Sequence, residues 1–218
     1  TQVSENVFVG RRKELALLEN QMGKVLSGQG RVMFVSGEAG SGKTALVNAF
    51  CSNIQSQVPD LVTIIGNCNA QGGLGDAYLP FREILSALTG TDVETQSQSR
   101  LRNIASRSAK VLVDVGPDLI ETLVPGAALI SRLGMMAAKF AGLEDQIEKL
   151  IKHKRNTSES NALEQSRIFE QYSNVLKAIA VEQPLILIID DLHWVDDASA
   201  GLLFHLSRRL EKSSVFIL

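Results

Sequence analysis

The segment Gly37-Glu-Ala-Gly-Ser-Gly-Lys-Thr44 constrains this chain more than any other, because its three glycines are followed at once by a lysine and a hydroxyl. An apolar run, Val32-Met-Phe-Val35, precedes it, and Ala45, Leu46, Ala49 and Phe50 follow at helical spacing. This order predicts a strand covered on both faces, a glycine-rich turn and a helix, a setting in which backbone amides form a concave nest for phosphate. A plain strand-to-helix turn needs glycine but neither Lys43 nor Thr44. The pattern therefore predicts a nucleotide-binding loop. The backbone of Ala39, Gly40, Ser41, Gly42, Lys43, Thr44 and Ala45 would turn inward at the positive end of a helix, with Lys43 on the β and γ phosphates and Thr44 on magnesium.

A second feature stands far downstream. Pro184 introduces Leu185-Ile-Leu-Ile-Ile189, the strongest apolar run of the chain, and it ends at Asp190-Asp191. A buried strand that delivers carboxylates at its carboxyl end places them where parallel α/β sheets bind ligands. Asp190 is the expected partner of the metal held by Thr44, and Asp191 the group that orients an attacking water. Asp196 and Asp197 are better placed to cap the next helix. His153, His193 and His205 are widely separated, and Cys51 and Cys68 provide neither a disulfide framework nor a zinc site, so both cysteines read as buried small hydrophobes. No GxSxG or HExxH pattern occurs, which leaves phosphoryl chemistry as the catalytic signal.

Between and around these features the chain alternates apolar strand candidates with amphipathic helices: Glu14 to Leu26, Pro80 to Leu88, Leu163 to Ala180 and the Leu202–Leu210 segment. Strands alternating with helices predict an α/β fold, a three-layer P-loop NTPase architecture around a parallel sheet. At about 150 residues per domain, 218 residues suit one domain with an addition. The addition is expected at residues 91–165, a near-neutral helical insertion with helices near Leu101–Leu112, Leu119–Val124 and Ala127–Phe140. Its Met135-Met136 pair reads as core filling and its basic run Lys149–Arg155 as a solvated helix end. The formal charge of −2 does not advertise nucleic-acid binding by this segment. The apolar stretch from Leu119 to Gly142 is interrupted by Glu121, Arg132, Lys139 and Pro125-Gly126, so no membrane span is expected. No secretory signal is visible at the start, so a cytoplasmic location is expected. A start at Thr1 and an end inside the apolar Val215–Leu218 suggest a piece of a longer protein.

Four segments together resemble one family: FVGRRKELALL (Phe8 to Leu18), GEAGSGKTAL (Gly37 to Leu46), AYLPF (Ala77 to Phe81) and LILIIDDLHWVDDAS (Leu185 to Ser199). They look like the nucleotide-binding domain of STAND-class, AAA-like signal-transduction ATPases, a group that includes maltose-regulator activators and cyclase-associated ATPases. The resemblance implies that Phe8, Val9, Gly10 and Arg11 run beside the base and ribose of ATP or ADP. It also implies a switch, closed with ADP and open and self-associating with ATP in the full-length protein. In the family's strand order a further strand, a helical lid and a winged-helix domain would follow Leu218, and the phosphate-loop strand would otherwise lie at an open edge. Without the polar sensor residue that would follow, slow hydrolysis by this segment is expected. Trp194 is expected to pack the Asp190–Asp191 turn against the insertion, and Arg208 and Arg209 to be solvated.

Three other readings fit parts of the pattern. A regulatory or oligomerisation module that binds nucleotide without cleaving it accounts for everything but Asp191. A nucleic-acid loading AAA-like ATPase would need a basic surface from elsewhere. A small-molecule phosphoryl transferase fits the LHWVD run less well.

Overall fold

The computed structural model describes residues 11–69, 77–90, 99–123 and 161–218. In chain order these form α1 (Arg12–Leu26), β1 (Arg31–Val32), α2 (Lys43–Gln57), β2 (Val62–Asn67), α3 (Leu79–Thr89), α4 (Ser99–Val115) and α5 (Pro117–Leu123). There follow α6 (Asn161–Glu182), β3 (Leu185–Asp190), a 3-10 turn at Leu192–Trp194, α7 (Asp197–Arg209) and β4 (Val215–Ile217). The four strands are all parallel and lie in the order β1-β4-β3-β2.

Side chains of successive strand residues point to opposite faces, so a strand buried on both must be apolar throughout. β3 shows this residue by residue. Ile186 and Ile188 join Phe216 of β4 in a core under α1 and α2, with Leu18, Met22, Val25, Leu46, Phe50 and Ile54. Leu185, Leu187 and Ile189 join Val215 and Ile217 in the opposite core, covered by α3 to α7. The result is the three-layer α/β arrangement that the alternation predicts.

The helices expected after Gly90 are seen as α4 and α5. Leu112, Leu119 and Leu123 are fully buried and belong to the same core as β2 and β3, so this part of the expected insertion continues the domain's own core. The helix expected at Ala127–Phe140, the methionine pair and the basic run Lys149–Arg155 lie outside the described residues. Tyr172 of α6 fastens the helical layer: its buried hydroxyl donates to the Phe81 carbonyl at 3.0 Å, and its ring stands edge-on to Phe81. Among the described residues no helix is long and apolar enough to cross a membrane.

The run Val32–Val35 reads as a central, doubly covered strand, yet among the described residues β1 is an edge strand whose one partner is β4. Its ladder covers Arg31 and Val32, with one further bond from Met33 N–H to the Ile217 carbonyl. Val32 and Met33 still pack on opposite cores, but Phe34 is 68% exposed. Apolar sequence reports which faces can be buried, not whether a neighbour strand lies beside them. The open edge agrees with the strand order that the resemblance implies.

Candidate functional site

The phosphate-loop segment leaves β1 and curls back before α2. Gly40 and Gly42 have φ of 73° and 84°, left-handed backbone in which a side chain is strained. A Cβ on Gly37 would come within 2.9 Å of Ser41 Oγ, so the loop packs closely here, although the serine side chain can turn aside. Gly42 is the N-cap of α2 and has no side chain to satisfy the first-turn amides, which leaves the N–H groups at Lys43, Thr44 and Ala45 available to an anion.

Lys43 folds back across the loop. Its Nζ donates to the carbonyls of Gly37 at 2.9 Å and Glu38 at 3.0 Å, holding the ammonium over the concavity. Ser41 Oγ is buried with no hydrogen-bond partner among the described residues. Ala39, Gly40, Thr44 and Ala45 are exposed. A cradle of free amides, one cation and an orphaned hydroxyl fits a phosphate chain. Arg11, at the head of α1, donates from its guanidinium to the Ser41 carbonyl, so this residue is fastened to the loop itself. Phe8, Val9 and Gly10 lie outside the described residues.

The acidic pair stands at the carboxyl end of the same sheet. Asp190 is the last residue of β3, exposed after five buried ones. Its carboxylate Oδ1 accepts the Asp191 N–H at 2.9 Å. Asp191 has φ of 53°, in the left-handed region that Asp and Asn tolerate better than most side chains. The chain then closes a 3-10 turn, with Trp194 N–H on the Asp191 carbonyl at 2.9 Å. Asp196 caps α7 by accepting the Ser199 N–H at 2.9 Å, as the spacing predicts. Among the described residues no group of three His, Cys, Asp or Glu side chains is gathered to hold a metal. A magnesium ion here would rely on Thr44, Asp190 and ligand oxygens, which suits an ion that keeps few protein ligands.

Trp194 is 53% exposed and makes a tilted ring contact with His193, with centroids 5.1 Å apart; most of the insertion against which it is expected to pack lies outside the described residues. His193 Nδ1 lies 3.9 Å from Asp191 Oδ1, with both side chains mostly in solvent, where such a pair contributes little. Arg208 and Arg209 are exposed but engaged: Arg209 pairs with Glu170 of α6, and Arg208 lies 6.0 Å from the Phe204 ring centroid.

Little in the sequence marks the end of β2, where Asn67, the last residue of the strand, pairs in register with Asp190. Glu83 of α3 accepts from both the Asn67 N–H and the Asn67 side chain, and Cys68 N–H donates to the Asp190 carbonyl at 3.0 Å. The signal was faint: Glu83 is the one acidic residue of α3. Burial, with the carboxylates of Asp196, Asp191, Glu83 and Asp190 adding to it, pushes the Cys68 thiol up to about 11. Both cysteines are free; Cys68 is buried, as expected, whereas Cys51 is half-buried.

Beside the acidic turn a groove of about 500 Å³ opens against the free edge of β1, with Val32, Phe34, Leu192, Val195, Leu203 and Phe204 among its lining residues. It is separate in character from the polar phosphate loop. No curated protein and no solved structure matches this chain. The family model for the AAA ATPase domain matches residues 7–218, taking in the Arg11 contact, the glycine loop and the acidic strand end within one continuous span. The chain therefore belongs to the AAA ATPase domain family, whose members bind and hydrolyse nucleotide.

Proposed function

We propose that this chain is the Mg-ATP site of a multidomain signalling or regulatory ATPase, in which the bound nucleotide sets a conformational state. The observation that carries the reading is the phosphate loop: left-handed Gly40 and Gly42, free amides at the head of α2 and Lys43 held over the concavity, on a sheet that presents Asp190 and Asp191 at the same end. Resemblance alone supports the switch and the self-association in the longer protein. The near-neutral charge offers no support for nucleic-acid binding by this segment.

In this reading the loop amides and Lys43 bind the phosphate oxygens and orient the terminal phosphoryl group. Magnesium, when bound, neutralises charge on those oxygens, with Thr44 and Asp190 as its protein partners. Asp191 accepts a hydrogen bond from the attacking water and aligns it. Its left-handed backbone and solvent-facing side chain suit that task, while its N–H steadies the Asp190 carboxylate. Lys43 also opposes the charge that develops on the γ-phosphoryl oxygens.

Lys43→Ala tests the core of this reading. Loss of one charge over an exposed loop leaves the fold intact and removes a principal phosphate contact. Titration calorimetry should show ATP affinity falling by roughly a hundredfold, with an unchanged circular dichroism spectrum. Undiminished affinity would remove the phosphate-loop assignment.

A further inference from the structure

We infer that Glu83 is a positioning residue for the metal-dependent half of the site, acting through Asn67 on Asp190. The inference rests on the Mg-ATP reading above. Among the described residues β2 is an outer strand of the sheet, with β3 as its one strand partner. On the other side the first turns of α3 supply the missing support. A Cβ on Gly66 would run into the Pro80 carbonyl oxygen, so α3 sits on the bare backbone of the strand. One turn further along, a single Glu83 carboxylate oxygen accepts the Asn67 N–H at 2.7 Å and the Asn67 Nδ2 donor at 3.0 Å.

These bonds lead directly to the acidic pair. Asn67 and Asp190 are register partners, and the next residue, Cys68, donates its N–H to the Asp190 carbonyl. The Asp190 carboxylate in turn accepts the Asp191 N–H. Asn67 at the end of β2 and Cys68 just after it are thus tied outward to Glu83 and inward to Asp190. With Glu83 in place, the end of β2 forms a fixed rail, and the backbone that carries Asp190 is set by it. Without Glu83 the Asn67 N–H loses its acceptor and the strand end is free to fray, taking the Cys68–Asp190 bond with it. Glu83 also accepts the Asn67 amide, so that donor is occupied on α3.

The role predicts a specific pattern in binding rather than a general loss. ATP affinity would be measured by calorimetry with magnesium and with EDTA, in wild type, Glu83→Ala, Glu83→Gln, Asn67→Ala and Lys43→Ala, with thermal melts alongside. The expected result is that Glu83→Ala lowers the magnesium enhancement of affinity by roughly tenfold, while affinity in EDTA stays within about twofold. Glu83→Gln keeps an oxygen acceptor and should retain the enhancement within about twofold. Asn67→Ala should lose part of it, roughly threefold, and the double variant should be no worse than Glu83→Ala alone.

An unchanged enhancement in Glu83→Ala overturns the inference, as does a loss in Glu83→Gln equal to that in Glu83→Ala, which would mean charge rather than grip. Equal losses with and without magnesium would show a merely structural role and overturn it too. If Glu83→Ala does not fold, an undiminished enhancement in Asn67→Ala does the same. Wild type that binds no ATP defeats the nucleotide-site reading itself. Wild type that binds ATP without magnesium enhancement defeats only the assignment of Asp190 and Glu83.

Discussion

At Asp191 charge and backbone conformation can be separated, because Asn tolerates φ of 53° about as well as Asp. Asp191→Asn should therefore fold normally and bind ATP, yet turn over at least about tenfold more slowly if the carboxylate aligns water. Asp190→Asn should instead weaken magnesium-dependent affinity. Phosphate release per bound ATP, measured with a magnesium titration of binding, distinguishes the two. Equal turnover in Asp191→Asn and wild type would take that residue out of the chemistry. Much of this was legible in the sequence, since a glycine loop with its lysine and threonine, and two carboxylates after an apolar strand, announce their chemistry by residue type alone. Asn67 and Glu83 were not. Their role arises from a register match with Asp190 and a helix seated on Gly66, and neither relation has a spacing in the chain.

Among the elements, the seat of α3 on β2 is the least forgiving contact. Gly66→Ala would place a methyl group against backbone at Pro80, which cannot swing aside like a side chain, and is expected to cost more than about 3 kcal/mol in urea unfolding. The α6–α7 contact is instead sensitive to acid. His205 Nε2 is buried without a hydrogen-bond partner among the described residues, and its ring leans on Phe169. Burial lowers its pKa below 6.5; Glu170 opposes that shift, while Arg209 and Lys177 reinforce it. Because the folded value lies below the unfolded one, the unfolded chain takes up the proton first as pH falls, and stability is lost below about pH 6.5. His205→Phe should show a flatter fall in unfolding free energy between about pH 7 and about pH 5 than wild type. A parallel pair of curves would remove His205 from the acid response. Helix and strand identities followed from periodicity, whereas the place of β1 did not. Val32–Val35 is apolar enough for a central strand, and its place at the edge comes from strand order, which the family resemblance implies and the pairing with β4 among the described residues shows.

For the molecule as a whole, the engaged arginines bear on how it turns over nucleotide. Arg209 is paired with Glu170 and Arg208 lies 6.0 Å from the Phe204 ring centroid, and both remain exposed on α7. Slow phosphate release that is independent of protein concentration is expected from this chain, and a rate that climbs with concentration would mean that a second copy contributes to the site. The strand order has a consequence of its own. The phosphate loop rises from β1 and Asp190 from β3, and β4 runs between them. With neighbouring strands about 4.8 Å apart, the two halves stand roughly 10 Å from one another across the top of β4. On the proposed reading, a triphosphate with its metal would have to bridge that gap, with Lys43 at one end and Asp190 at the other, so cleavage would separate what the two strands hold in common.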